Sequence, residues 1–131
     1  MNGIIEQMYQ NIGQAALGLA EGLKGKLLVY AEVEDEVISA DIFYRNEAGI
    51  VRFLFCSEPM RQLIYSFWNK WKEQPGNREW RTMACVLENG KMDITLTYPD
   101  QIDSDEDTSD RRPRIIEQHF SGMKVDYSRP K

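Results

Sequence analysis

Three runs of strand-forming residues, joined by links too short for a crossover, constrain this chain more than any other feature. The runs are KLLVYAEVE (26–34), VISADIFYR (37–45) and GIVRFLFC (49–56), and they are joined through DE and NEAG. A parallel crossover needs a dozen residues or more, so links this short make the three strands antiparallel neighbours. Alternation assigns their faces. Leu27, Val29, Ala31 and Val33 share one face of the first run. In the second run Ile38, Ala40, Ile42 and Tyr44 oppose Ser39, Asp41 and Arg45. The third run is almost continuously apolar, as expected of a central strand.

The remaining elements follow from helical spacing and turn chemistry. SEPMRQLIYSFWNKWKEQPG is a helix, capped by Ser57, with Pro59 in its first turn and Pro75-Gly76 as its stop. Met60, Leu63, Ile64, Phe67, Trp68 and Trp71 recur at helical spacing, so they make a stripe facing the core. EWRTMACVLENGKMDITLTY is a hairpin turning at Asn89-Gly90, with Met92, Ile94, Leu96 and Tyr98 inward and Asp93, Thr95 and Thr97 toward water. An N-terminal helix is expected over 4–23, on a stripe running from Ile4 to Leu23. Gly18 and Gly22 within it are read as close packing onto a sheet. DRRPRIIEQHFSG reads as a short closing helix with Ile115, Ile116 and Phe120 inward. The order α-β-β-β-α-β-β-α predicts one α+β domain over residues 1–131: a five-stranded antiparallel sheet with its helices packed on one face.

Composition narrows the function. Lys and Arg number 16 against 21 Asp and Glu, a net charge of −5, and the basic residues do not cluster, so nucleic acid is not an expected partner. No run approaches the apolar length of a membrane span, and MNGIIEQMYQ has no secretory pattern. The expectation is a reduced, cytoplasmic protein, with Cys56 and Cys85 as thiols inside strands. One histidine, His119, two separated cysteines and no nucleophile, phosphate-loop or zinc motif imply neither an enzyme nor a metal or cofactor site.

The feature left over is YPDQIDSDEDTSDRRPR, 98–114, in which Asp100, Asp103, Asp105, Glu106, Asp107 and Asp110 precede Arg111, Arg112 and Arg114. A solvated loop, a cation site and a landing surface for a basic partner compete for it. Asp103, Asp105 and Asp107 match the first three ligand positions of an EF-hand loop, but Thr108 stands where its glycine should be and Arg114 where its closing glutamate should be. A second cluster, Glu32, Glu34, Asp35 and Glu36, lies at the first hairpin's tip. Two carboxylate patches suit a cationic partner, steering its approach and pairing with its Lys and Arg.

LLVYAEVEDEVISADIFYRNEAGI, the amphipathic helix after it, EWRTMACVLENGKMDITLTYPD and RRPRIIEQHF together resemble the YezG-like immunity proteins of bacterial toxin systems. The likeness spans about residues 26–122, carried by the YAEV and FYR strands, Trp80, the Gly90-Lys91 turn and the TYPD exit. The resemblance implies a small protein that binds and neutralises the C-terminal domain, often a nuclease, of a cognate toxin. Such inhibition needs no catalytic residue. The ten carboxylates of the two clusters are then the expected partner-binding residues. The alternative is an acidic adaptor for a basic cellular protein with no toxin involved; the oligomeric state stays open.

Overall fold

The computed structural model describes residues 2–20, 23–102, 105–123 and 125–126. The elements are α1 (Asn2–Leu19), β1 (Leu23–Glu34), β2 (Val37–Asn46), β3 (Val51–Phe55), α2 (Glu58–Glu73), β4 (Thr82–Glu88), β5 (Lys91–Thr97), α3 (Thr108–His119) and β6 (Val125–Asp126). A single 3-10 turn, Pro99–Gln101, follows β5. The five longer strands form an antiparallel sheet in the order β5-β4-β1-β2-β3, and the α+β class is as the sequence predicts. At the far edge β6 adds a sixth strand, parallel to β3 through Val51 and Val125.

One expectation about layers is corrected. Only α1 and α2 share a face; α3 packs on the other. Alternation along β1 shows why. Leu27, Val29, Ala31 and Val33 pack with Ile12 and Ala16 of α1 and with Met60, Ile64, Phe67 and Trp68 of α2. Leu28 and Tyr30 point the opposite way and join Phe43, Val51 and Phe53 beneath Ile116 and Phe120 of α3. The central strands are apolar on both faces, so a sheet covered on one side would leave large aromatic side chains in water.

The principal helix forms as its caps dictate. Ser57 Oγ accepts from Met60 N at 3.3 Å, and Met60, Ile64, Phe67 and Trp68 are fully or nearly buried. Each such side chain contributes about 1.5–3 kcal/mol, an upper figure because the unfolded chain already hides some surface. Trp68 Nε1 donates to the Trp80 carbonyl at 3.1 Å, fixing the helix to the start of β4.

Two smaller readings shift, and the sheet carries one irregularity. α1 ends at Leu19, and Leu23 opens β1 instead of continuing the helix. The β1–β2 ladder slips between Leu23 and Leu27, where Gly25 takes a φ of 100° with the Arg45 guanidinium against it. The close helix–sheet approach occurs at Gly13, where a Cβ would lie 2.9 Å from Met92 Sδ; nothing stands within 4 Å of that position at Gly18. Gly22 lies outside the described residues.

Candidate functional site

Both acidic clusters lie at one end of the sheet, and three of their carboxylates are used internally. β1 alternation turns Glu32 toward α3, where it is 3% exposed. Tyr30 Oη donates to Glu32 Oε2 at 2.6 Å, and Arg81 Nη1 lies 3.4 Å from Oε1. Arg111, also 3% exposed, reaches down from α3 to within 3.6 Å of Glu32 Oε2 and 3.9 Å of Glu106 Oε1. Glu106 in turn receives two hydrogen bonds from Arg114, at 2.8 and 2.9 Å. With Glu34 near Arg81 Nη2 at 3.5 Å, the charges alternate in one line: Glu34, Arg81, Glu32, Arg111, Glu106, Arg114. Beside it Arg112 pairs with Asp41 across α3 and β2 and donates to Ser39 Oγ at 3.3 Å.

Burial without compensation is expensive, so this line explains why RRPR follows the acidic run at once. The run starts α3. Asp107 is its N-cap, accepting from Asp110 N at 3.0 Å and from Ser109 Oγ at 2.8 Å. The Ser109 hydroxyl and the Asp110 amide hold the Asp107 carboxyl below its ordinary range, and Arg114 does the same for Glu106. Asp41 moves up, because burial outweighs the help of Arg112. At the other end of α3, Lys26 Nζ donates to the His119 carbonyl at 2.8 Å, a cation where the helix carries partial negative charge.

Of the ten expected partner-binding residues, Glu32 is therefore corrected to an internal role, while Glu106 and Asp107 are engaged within the chain, by Arg114 and as the N-cap of α3. Docking of α3 onto the sheet supplies the partners that a local reading leaves out. Asp100 is exposed but paired with Arg78 at 3.0 Å, and Arg78 also lies over the Tyr98 ring. Glu34 is exposed and shared with Arg81. Asp105 and Asp110 are exposed on the approach to α3 and in its first turn. Asp103 lies outside the described residues. Arg81, Arg111 and Arg112 are residues to which the sequence reading gave no role. The one signal for two of them was the basic run directly after the acids.

Asp35 and Glu36 are different. Both are exposed, and neither makes an ion pair among the described residues. Their φ angles, 51° and 63°, put both in the left-handed region, as a type I′ turn requires. The second hairpin meets the same demand with Asn89 and Gly90, at 56° and 75°. Asn-Gly is the low-strain solution; Asp-Glu carries steric cost and two carboxylates. Concavities flank this tip on either side. One, of about 370 Å³, is lined by Trp68, Trp80 and the tip acids, and the other, of about 340 Å³, by Glu34, Asp35 and Val37.

Nucleophilic chemistry finds little support in the thiols. Burial pushes Cys56 to about 11 and Cys85 to about 12, away from the reactive thiolate. Cys56 packs against the cluster under α1 and α2, while His119 sits on α3 across the sheet. Among the described residues no group of three or more His, Cys, Asp or Glu side chains is placed to hold a metal ion. Among them, too, no helix is long and apolar enough to cross a membrane. Comparison with models of known protein families and with curated proteins finds no match.

Proposed function

We propose that this chain is a cytoplasmic immunity protein that binds the basic C-terminal domain of a cognate toxin and neutralises it. The partner meets the acidic end of the sheet. The observation that carries this reading is the Asp35-Glu36 turn, which keeps two exposed carboxylates, in no ion pair among the described residues, on a strained backbone while the same chain turns its second hairpin with Asn-Gly. Strain held at an exposed, charged turn is a mark of a surface kept for contact. Glu34, Asp105 and Asp110 add negative charge around it, and a domain that must bind phosphate presents complementary positive charge. The buried ion-pair line beneath supports the tip from β4 and α3 and leaves the contact to its outer carboxylates.

The reading is tested by calorimetric titration with the C-terminal domain of the protein encoded beside this one, at low and moderate salt. Tight binding is expected to weaken as salt rises and to weaken further in Asp35→Asn/Glu36→Gln. No binding would overturn the immunity reading. Tight binding that ignores both salt and the tip would move the interface elsewhere.

A further inference from the structure

We propose that β5 is the surface on which this chain pairs with a second copy of itself, strand to strand and antiparallel. β5 ends the sheet order with seven residues, whereas at the opposite side β6 pairs with part of β3. The hairpin sets its backbone chemistry. A two-residue type I′ turn makes Glu88 and Lys91 a hydrogen-bonded pair, so Lys91, Asp93 and Thr95 direct their amides and carbonyls to β4. Met92, Ile94 and Leu96 direct theirs away from the sheet, and no described residue pairs with them. Proline, a bulge or an inward-turned charge normally blunts such an edge. β5 has no proline, its ladder with β4 runs without a slip, and its inward row is wholly apolar.

A second observation lies under the edge. Two hollows, of about 450 and about 260 Å³, run beside β5 and share Tyr9 and Met92. α1 walls the first, and Phe67 and Trp71 of α2 wall the second. Met92, Ile94 and Leu96 are only half-buried, so the apolar layer beneath the sheet stays open along β5. Its complement is an extended strand with backbone groups to pair and an apolar side chain at every second place. A second β5 has both, and its charges select the register. Inward rows must face each other, which leaves few alignments. Centring the two-fold on Asp93 sets two carboxylates directly opposite, which is unfavourable. Centring it on Ile94 pairs all seven residues: Ile94 meets its own copy, Met92 meets Leu96, and the exposed Asp93 meets the Thr95 hydroxyl. The outward-directed residues then exchange N–H···O bonds in pairs, and each copy's apolar row lies along the open side of the other's hollows. The same two-fold sends the two β1–β2 tips to opposite ends of the joined sheet, away from the joint.

The test is sedimentation equilibrium of the full chain from micromolar to millimolar concentration, in moderate salt to screen the net charge of −5 on each copy. The mass is expected to rise from 15.3 kDa toward twice that value. Over the same range hydrogen exchange should slow at the Met92, Ile94 and Leu96 amides, while those of Asp93 and Thr95 are already held by β4. Thr95 is exposed and lies opposite Ala84, so its substitution spares the single chain, which thermal melts of dilute protein check. Thr95→Asp sets a carboxylate against Asp93 twice across the joint and should weaken association by about tenfold. Thr95→Lys sets an ammonium there instead and should strengthen it by a similar factor. A mass of one chain at millimolar concentration overturns the proposal. So does a dimer whose outward β5 amides exchange freely, or one indifferent to both substitutions. None of these outcomes depends on the partner reading above.

Discussion

Removing Arg111 or Glu32 tests whether the ion-pair line is internal structure or binding surface. Their nearest charged atoms are 3.6 Å apart, and both side chains are 4% exposed. At an effective dielectric of about 20, that separation corresponds to about 5 kcal/mol of attraction, most of it offset by the desolvation of two ions. Taking away one partner leaves the other buried and costs about 3–5 kcal/mol. Arg111→Met belongs at the low end, because Glu32 keeps Tyr30 and Arg81. Glu32→Met belongs at the high end: among the described residues the buried guanidinium then has only the Glu106 carboxylate, at 3.9 Å, and Tyr30 loses its acceptor. Urea denaturation followed by tryptophan fluorescence and circular dichroism measures each, and Tm should fall by about 10–20 °C. The double variant should cost less than the sum of the two, with a coupling of about 2 kcal/mol, because two apolar side chains no longer strand a charge. It should still bind the partner. Single variants within about 0.5 kcal/mol of the parent, or an additive double, would refute the buried pair.

Three further outcomes are expected. Asp35→Asn/Glu36→Gly, which copies the second hairpin's turn, should raise stability by about 1–2 kcal/mol in denaturation while weakening partner binding. Gly18→Ala should stabilise α1 by up to about 1 kcal/mol, as nothing stands in its way, whereas Gly13→Val should destabilise by about 1–3 kcal/mol against Met92 and Leu87; thermal melts separate the two. Burial, and then Lys26, lower the His119 pKa from 6.5, so the unfolded chain takes up that proton first. The contribution of this group is present above pH 6.5 and is lost as pH falls toward the folded value. In His119→Gln that part of the pH dependence of stability should vanish.

The elements with local signals were legible. Ser57, Pro59 and the stripe from Met60 to Trp71 announce α2, and Asn89-Gly90 announces its hairpin, because capping and turn conformations depend on a few adjacent residues. The start of α3 was within reach too, since Asp107 is an N-cap type three residues before Asp110. β6 was not: two residues pairing with β3 leave no periodicity to read. The candidate site was legible only as charge. Both acidic clusters stand out along the chain, and the structure brings them to one end of the sheet, but Glu32 and Glu34 look alike in sequence. One is buried beneath Arg111, and the other is 70% exposed.

By itself, then, the sequence determined the five longer strands, the antiparallel order from β1 to β3, the α2 stripe and the presence of two carboxylate clusters, all of which follow from spacing over a few residues. Tertiary structure alone decided that α3 covers the second face, that Arg81 and Arg111 consume part of the acidic charge, and that Asp35 and Glu36 remain outside. Helix period and strand alternation are properties of neighbouring residues. Which charge is neutralised depends on where a helix distant in the chain comes to rest, and the burial of large aromatic side chains on both faces of the sheet sets that position.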